Sequence, residues 1–141
     1  LSPCTVPQVG KPTFEIADDE MEMGMGIHGE PGVWRGKLQT ADEMAGEMMD
    51  RLLADMPLTA GDRVSIMVNS LGATPPEELY ILYRVVKARL DQVGTIIVMP
   101  LIGRYATSME MTGVSFTLCK LDKELEALLT APCDCAFWRV G

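Results

Sequence analysis

Histidine is almost missing from this sequence: His28 is the only one among 141 residues. With no second imidazole and no cysteine beside it, no zinc-type ligand set can be assembled around it. The run "DDEMEM" lacks the position pattern of a calcium loop and reads as a solvated strand entry. There is no G-x-x-x-x-G-K-[ST] run, which excludes a P-loop. There is no G-x-S-x-G elbow either, so a serine-type triad built on His28 would lack its nucleophile. Long apolar runs are absent, and no stretch is suited to spanning a bilayer. Positive charge is scarce: 12 Lys and Arg against 20 Asp and Glu give a formal net charge of -8. Nucleic-acid binding needs a clustered basic face, which this balance does not supply. The four cysteines never form C-x-x-C. Cys133 and Cys135 make a C-x-C without a second pair, and with Cys4 and Cys119 they read as free thiols of a cytoplasmic protein.

What remains is ordinary globular material, 48% apolar and 23% charged, enough for one domain with a real core. The chain opens on "LSPCTVP", without an initiator Met, and reads as a cut through a longer protein with partners upstream. Residues 1–12 carry Pro3, Pro7, Gly10 and Pro12 and predict an irregular lead-in.

Beyond them the patterning is clear. Met21, Met23, Met25 and Ile27 alternate with Glu22, Gly24, Gly26 and His28, a period of two that predicts a strand closed by "GEPG". Thr40 and Glu43 spell a capping box, followed by a Met- and Leu-rich stripe over a helix of about residues 41–56. That stripe reads as core or subunit contact. "RVSIMVNSLG" is a buried strand. Thr74, Pro75 and Glu77 then predict the N-cap, N1 and N3 of a second helix, with Leu79, Leu82, Val86 and Leu90 as its apolar stripe and Gly94 as its stop. "TIIVMPLIG" and "VSFTLCKL" are further strands, with a short helical turn expected at 108–111. Asp122 caps a last helix, and Phe137 and Trp138 are expected to fold back on the domain. Stripes this narrow cover one sheet face, so the expected fold is a two-layer α/β sandwich: a mixed sheet with helices mainly on one face.

Gly24, Gly26 and Gly29 spell G-x-G-x-x-G. The dinucleotide fingerprint needs those glycines between a strand and a helix start, and here they lie inside an alternation that leads to Glu30-Pro31-Gly32. A different use fits them better. Interior strand glycines weaken a sheet, and a close approach by something small is a reason to have them. They strip the face beside His28, which this pattern puts at the strand's carboxyl end, where open α/β sheets place ligands. By residue type alone, a lone strand histidine also has a plain structural or surface reading. Glu30 either orients the loop around His28 or faces water. Asn69, Ser70 and Gly72 precede a helix start, where backbone N–H groups could meet a phosphate; an ordinary strand-to-helix turn is the other reading.

Four stretches, "GKPTF", "DDEMEMGMGIHGEPG", "VNSLGATPPEELYILYR" and "YATSMEMTGVSFTLCKLD", together resemble the substrate-binding subunit of dihydroxyacetone kinases. The likeness covers nearly all of residues 1–141 and corresponds to the second, carboxyl-terminal half of that subunit, a single domain whose amino-terminal companion is not in this chain. In that family the histidine of "GIHGEPG" binds the ketone covalently as a hemiaminal, which the resemblance assigns to His28. It implies no cofactor in this domain. ATP with magnesium, or a phosphoryl relay, would sit on a separate all-helical nucleotide-binding domain or subunit. It also implies a small ketose such as dihydroxyacetone or erythrulose as ligand, a homodimer, and a cytoplasmic role in glycerol metabolism. The alternative is a non-catalytic ligand-binding or regulatory module on the same fold. An intact "GIHGEPG" favours the enzyme, because a pure regulator has no need of the nucleophile.

Overall fold

A computed structural model describes residues 3–12, 14–26 and 30–141. Its centre is a three-stranded mixed sheet of β5 (Arg63–Ser70), β6 (Ile96–Gly103) and β7 (Val114–Leu121) in the order β6-β5-β7. β5 runs parallel to β6 and antiparallel to β7. The connection from β5 to β6 is α2 (Pro76–Val93), a crossover that the parallel pairing demands. Pro100 lies in β6, an edge strand, where a missing N–H is tolerated.

One face of this sheet holds the core. Val64, Ile66 and Val68 alternate along β5 with no exposure, and Leu79, Val86 and Leu90 of α2 lie against them, equally closed to solvent. α1 (Ala41–Asp55) completes the layer through Ala45 and Met49. Each of the buried Val, Ile, Leu and Met side chains contributes roughly 1.5–3 kcal/mol by leaving water. α1 begins as its sequence dictates: the Thr40 hydroxyl accepts the Glu43 N–H at 3.3 Å while the Glu43 carboxylate accepts the Thr40 N–H at 2.9 Å. α2 stops at Gly94, whose φ of 85° is cheap only for glycine.

The opposite face is thinly covered. There α3 (Lys123–Leu129), capped by Asp122, places Leu125, Leu128 and Leu129 beside Ser65, Met67 and Leu101 around a groove of about 440 Å³. The two-layer sandwich with helices mainly on one face is therefore the observed architecture. Phe137 and Trp138, in the turn between β8 (Cys133–Asp134) and β9 (Arg139–Val140), meet the edge of Tyr105 at centroid distances of 6.3 and 5.8 Å.

Before α1 stand two small antiparallel pairs, β1 (Thr5–Val6) with β2 (Lys11–Pro12), and β3 (Glu20–Met23) with β4 (Trp34–Lys37). The second differs from the sequence expectation in two ways. The alternation predicts one strand through Ile27, but Gly24 takes φ 74° and turns the chain out of β3 after Met23. β4 escapes the patterning because "WRGK" has neither an apolar face nor β-branched residues. The hairpin belongs to its own sheet, so the rule that ligands gather at the carboxyl ends of a parallel sheet does not bear on it. It is tied to α1 by the Trp34 indole N–H, which donates to Glu47 at 2.7 Å. Two local expectations also change: Pro75, not Thr74, is the N-cap of α2, and 108–111 is irregular rather than helical.

Candidate functional site

The residue singled out by the sequence, His28, lies outside the described residues together with Ile27 and Gly29. The structure gives the frame on either side of them, the two arms of the loop that joins β3 to β4.

The arms are held close by backbone contacts that leave no room for side chains. Val33 N–H donates to Met23 O at 2.7 Å, and Gly26 N–H donates to Glu30 O at 3.0 Å, joining the residues that flank 27–29 in sequence. A Cβ on Gly32 would lie 2.3 Å from Met23 O, and one on Gly26 would lie 2.2 Å from a carboxylate oxygen of Glu30. At both positions it is the chain itself that comes close, Met23 O at Gly32 and the Glu30 side chain at Gly26, within a hairpin loop rather than along a strand. Glu30 is exposed, and its side chain folds back against Gly26.

Beneath the loop sits Glu22, 7% exposed, a charge that would be costly to bury alone. One carboxylate oxygen accepts the Gly32 N–H at 2.6 Å. The other accepts Arg35 Nη2 at 2.7 Å and Nε at 3.1 Å. Arg35 in turn donates to Glu15 O at 2.8 Å and lies over the Phe14 ring, 5.9 Å from its centroid. The Gly32 amide, followed by the Arg35 guanidinium, holds the Glu22 carboxyl below the usual carboxylate range, against the opposing effect of burial. The sequence reading put Glu22 on the open face of a strand and so missed it. Glu22 and Arg35 are directly paired across β3 and β4, and an opposite-charge cross-strand pair is the signal that recognising the hairpin would have exposed.

Asn69, Ser70 and Gly72 form a separate knot at the end of β5. The fully buried Asn69 amide donates to Ala106 O at 2.7 Å and Ser115 Oγ at 3.0 Å, and accepts Tyr105 N–H at 2.9 Å and Ala106 N–H at 3.0 Å. Ser70 Oγ donates to Thr74 O, and the N–H groups of Leu71 and Ala73 donate to Gly113 O and Met111 O. With these donors committed to the fold, the turn reading holds and the phosphate reading loses its groups. Among the described residues no cluster of three or more His, Cys, Asp or Glu could hold a metal ion. No described helix is long and apolar enough to cross a membrane.

The fold is that of an α/β domain, and comparison with known proteins gives the family. Residues 1–137 match the Dak1 domain, and the chain belongs to that family. It is 47% identical over 140 residues to the dihydroxyacetone-binding subunit of a PTS-dependent dihydroxyacetone kinase 2 of Listeria innocua, covering 99% of this chain and 42% of that protein. It is 40% identical over 145 residues to an L-erythrulose kinase of Pectobacterium atrosepticum, covering 100% of this chain and 25% of that one. The chain thus spans less than half the length of these relatives. Among solved structures it resembles a dihydroxyacetone kinase operon co-activator, with a TM-score of 0.83, 32% identity, and 94% of this chain and 41% of that one covered. It also resembles a C. freundii dihydroxyacetone kinase solved with AMP-PNP and Mg2+, with a TM-score of 0.81, 30% identity, and 99% and 26% covered.

Proposed function

We propose that this chain is the ketose-anchoring domain of a dihydroxyacetone-type kinase and that His28 holds the substrate as a hemiaminal. The observation that carries the reading is the match of residues 1–137 to the Dak1 domain with "GIHGEPG" intact at residues 26–32. A neutral imidazole, with an ordinary pKa of about 6.5, has the free lone pair that the addition needs at physiological pH. One ring nitrogen bonds to the keto carbon while the carbonyl π pair moves onto oxygen. That oxygen takes up a proton and the other ring nitrogen gives one up, so the addition consumes no net proton. Glycerol has no carbonyl to accept the nitrogen, and the capture step is therefore selective for ketoses. Relatives named for dihydroxyacetone and for erythrulose support a three- or four-carbon ketose as the substrate class.

The phosphoryl group is supplied from elsewhere, by a nucleotide-binding helical domain or subunit, and an upstream domain of the same subunit completes the pocket. The assembly is a cytoplasmic homodimer. By itself the 141-residue chain anchors substrate without phosphorylating it, and appreciable phosphorylation by the isolated chain with ATP would contradict that division of labour. A second reading, a regulator that keeps the fold, is favoured by the likeness to an operon co-activator.

The deciding experiment labels the full-length protein with 15N-histidine and adds dihydroxyacetone carrying 13C at its keto carbon. A one-bond carbon–nitrogen coupling is expected, and none in His28→Ala. Ketose binding without that coupling in the unaltered protein would overturn the reading. Ketose-dependent phosphoryl transfer in the presence of the partner separates the enzyme from the regulator.

A further inference from the structure

We propose that Glu22 is a positioning residue for the ketose-capture step. This rests on the reading of His28 as the anchor. The two oxygens of the Glu22 carboxylate have separate tasks: one is given to the Gly32 amide in the loop, the other to Arg35 on β4. The bond to the Gly32 amide is short, 2.6 Å, and it reaches a residue four positions beyond His28, across the neck of the loop.

Other close contacts lie at the same neck. Gly32 presses against Met23 O and the Glu22 Cγ, at 2.3 and 2.8 Å from where a Cβ would stand, so the amide approaches the carboxylate from one direction only. Val33 N–H then reaches Met23 O, and Gly26 N–H reaches Glu30 O. Arg35 has further anchors in Glu15 O and the Phe14 ring, which fix the guanidinium that Glu22 meets. Charge runs from the exposed Arg35 through the buried Glu22 to the loop backbone. Removing it frees one arm of the loop while leaving β3 and β4 paired. Capture of a ketone by a ring nitrogen requires near-attack geometry, and a misplacement on the order of 1 Å can cost about 100-fold.

The test compares variants of the full-length protein by carbon–nitrogen coupling and, with its phosphoryl-donating partner, by steady-state kinetics. Glu22→Gln keeps the shape but meets Arg35 with an amide. It is expected to raise KM for the ketose ~10-fold or more while kcat at saturation changes far less, because the anchored complex is rarer but reacts normally. Glu22→Asp keeps the charge but withdraws the oxygen from Gly32, and is expected to act the same way; it serves should Glu22→Gln fail to fold. Trp34→Phe, which loosens the same hairpin from α1, is the control for lost stability and is expected to lower Tm without moving KM.

An unchanged KM and unchanged coupling in both Glu22 variants, with coupling present in the unaltered protein, would overturn this assignment and leave the His28 reading standing. A KM shift of the same size in Trp34→Phe would also overturn it. Absence of coupling in the unaltered protein overturns both.

Discussion

Thr74 and Gly113 are joined twice: the Thr74 hydroxyl donates to Gly113 O at 2.9 Å and accepts Gly113 N–H at 3.0 Å. A threonine placed by its sequence to cap α2 instead binds the loop from β6 to β7 onto the end of β5. Thr74→Val is therefore expected to cost roughly 1–3 kcal/mol through the Gly113 N–H it leaves unsatisfied (Gly113 O keeps the Leu71 N–H), while α2, which begins after it at Pro76, keeps its helicity. Urea unfolding followed at once by far-UV circular dichroism and tryptophan fluorescence checks this. A loss of helix signal before global unfolding would instead point to a capping role.

Asn69 is the more demanding test of the same knot. Asn69→Ala leaves the Tyr105 and Ala106 N–H groups, the Ala106 carbonyl and the Ser115 hydroxyl without their partner. A destabilisation of at least about 2 kcal/mol is expected on the scale of buried unsatisfied polar groups. Added inorganic phosphate should not stabilise the unaltered protein through this turn. A phosphate-dependent rise in Tm that Asn69→Ala abolishes would reverse the assignment of these groups to structure.

The two loop glycines should respond differently. A Cβ at Gly32 meets backbone, Met23 O at 2.3 Å, which cannot yield without parting the hairpin. At Gly26 the first obstacle is the Glu30 carboxylate, the far end of a side chain rather than backbone, with the Glu30 Cβ behind it at 2.9 Å. Gly32→Ala is thus expected to lower Tm more than Gly26→Ala, and combining Gly26→Ala with Glu30→Ala should recover part of the smaller loss. Thermal unfolding of the four proteins, the unaltered one included, reads both effects.

The pH dependence of stability follows from Glu22. Its carboxyl is held below the ordinary value, so its contribution is fully present above that value and is lost as pH falls through the depressed native one. Stability should therefore decline below about pH 4, the ordinary carboxylate range, and Glu22→Gln should flatten the part of that slope due to this residue. Urea midpoints from about pH 6 down to about pH 3 measure it. An identical slope in both proteins would mean that the Gly32 and Arg35 contacts do not persist in solution.

In the core, Met49 is fully buried in α1. Met49→Ala is expected to cost roughly 2–5 kcal/mol, and more than Met44→Ala, whose side chain is only partly covered. Equal losses at the two positions would contradict the placement of the α1 stripe.

Much of this protein can be read directly from its residues. The Thr40–Glu43 box, the Leu79–Leu82–Val86–Leu90 stripe, Gly94 and Asp122 set where helices start, stop and face, because capping and apolar periodicity act within a few residues. The narrow stripes also imply the two-layer sandwich. A single histidine among glycines is the sequence feature on which the proposed site rests. The expected strand through Ile27 fails because alternation in sequence continues past a residue whose backbone turns away: Gly24 ends β3 by taking a positive φ, with Val33 packed against it. Only the tertiary fold pairs Glu22 with Arg35 and Gly32, gives Thr74 to Gly113, and surrounds Asn69 with the β6–β7 loop. Those contacts join residues 10 to 46 positions apart, and which polar group finds which partner across such a gap is decided when the chain closes water out between them.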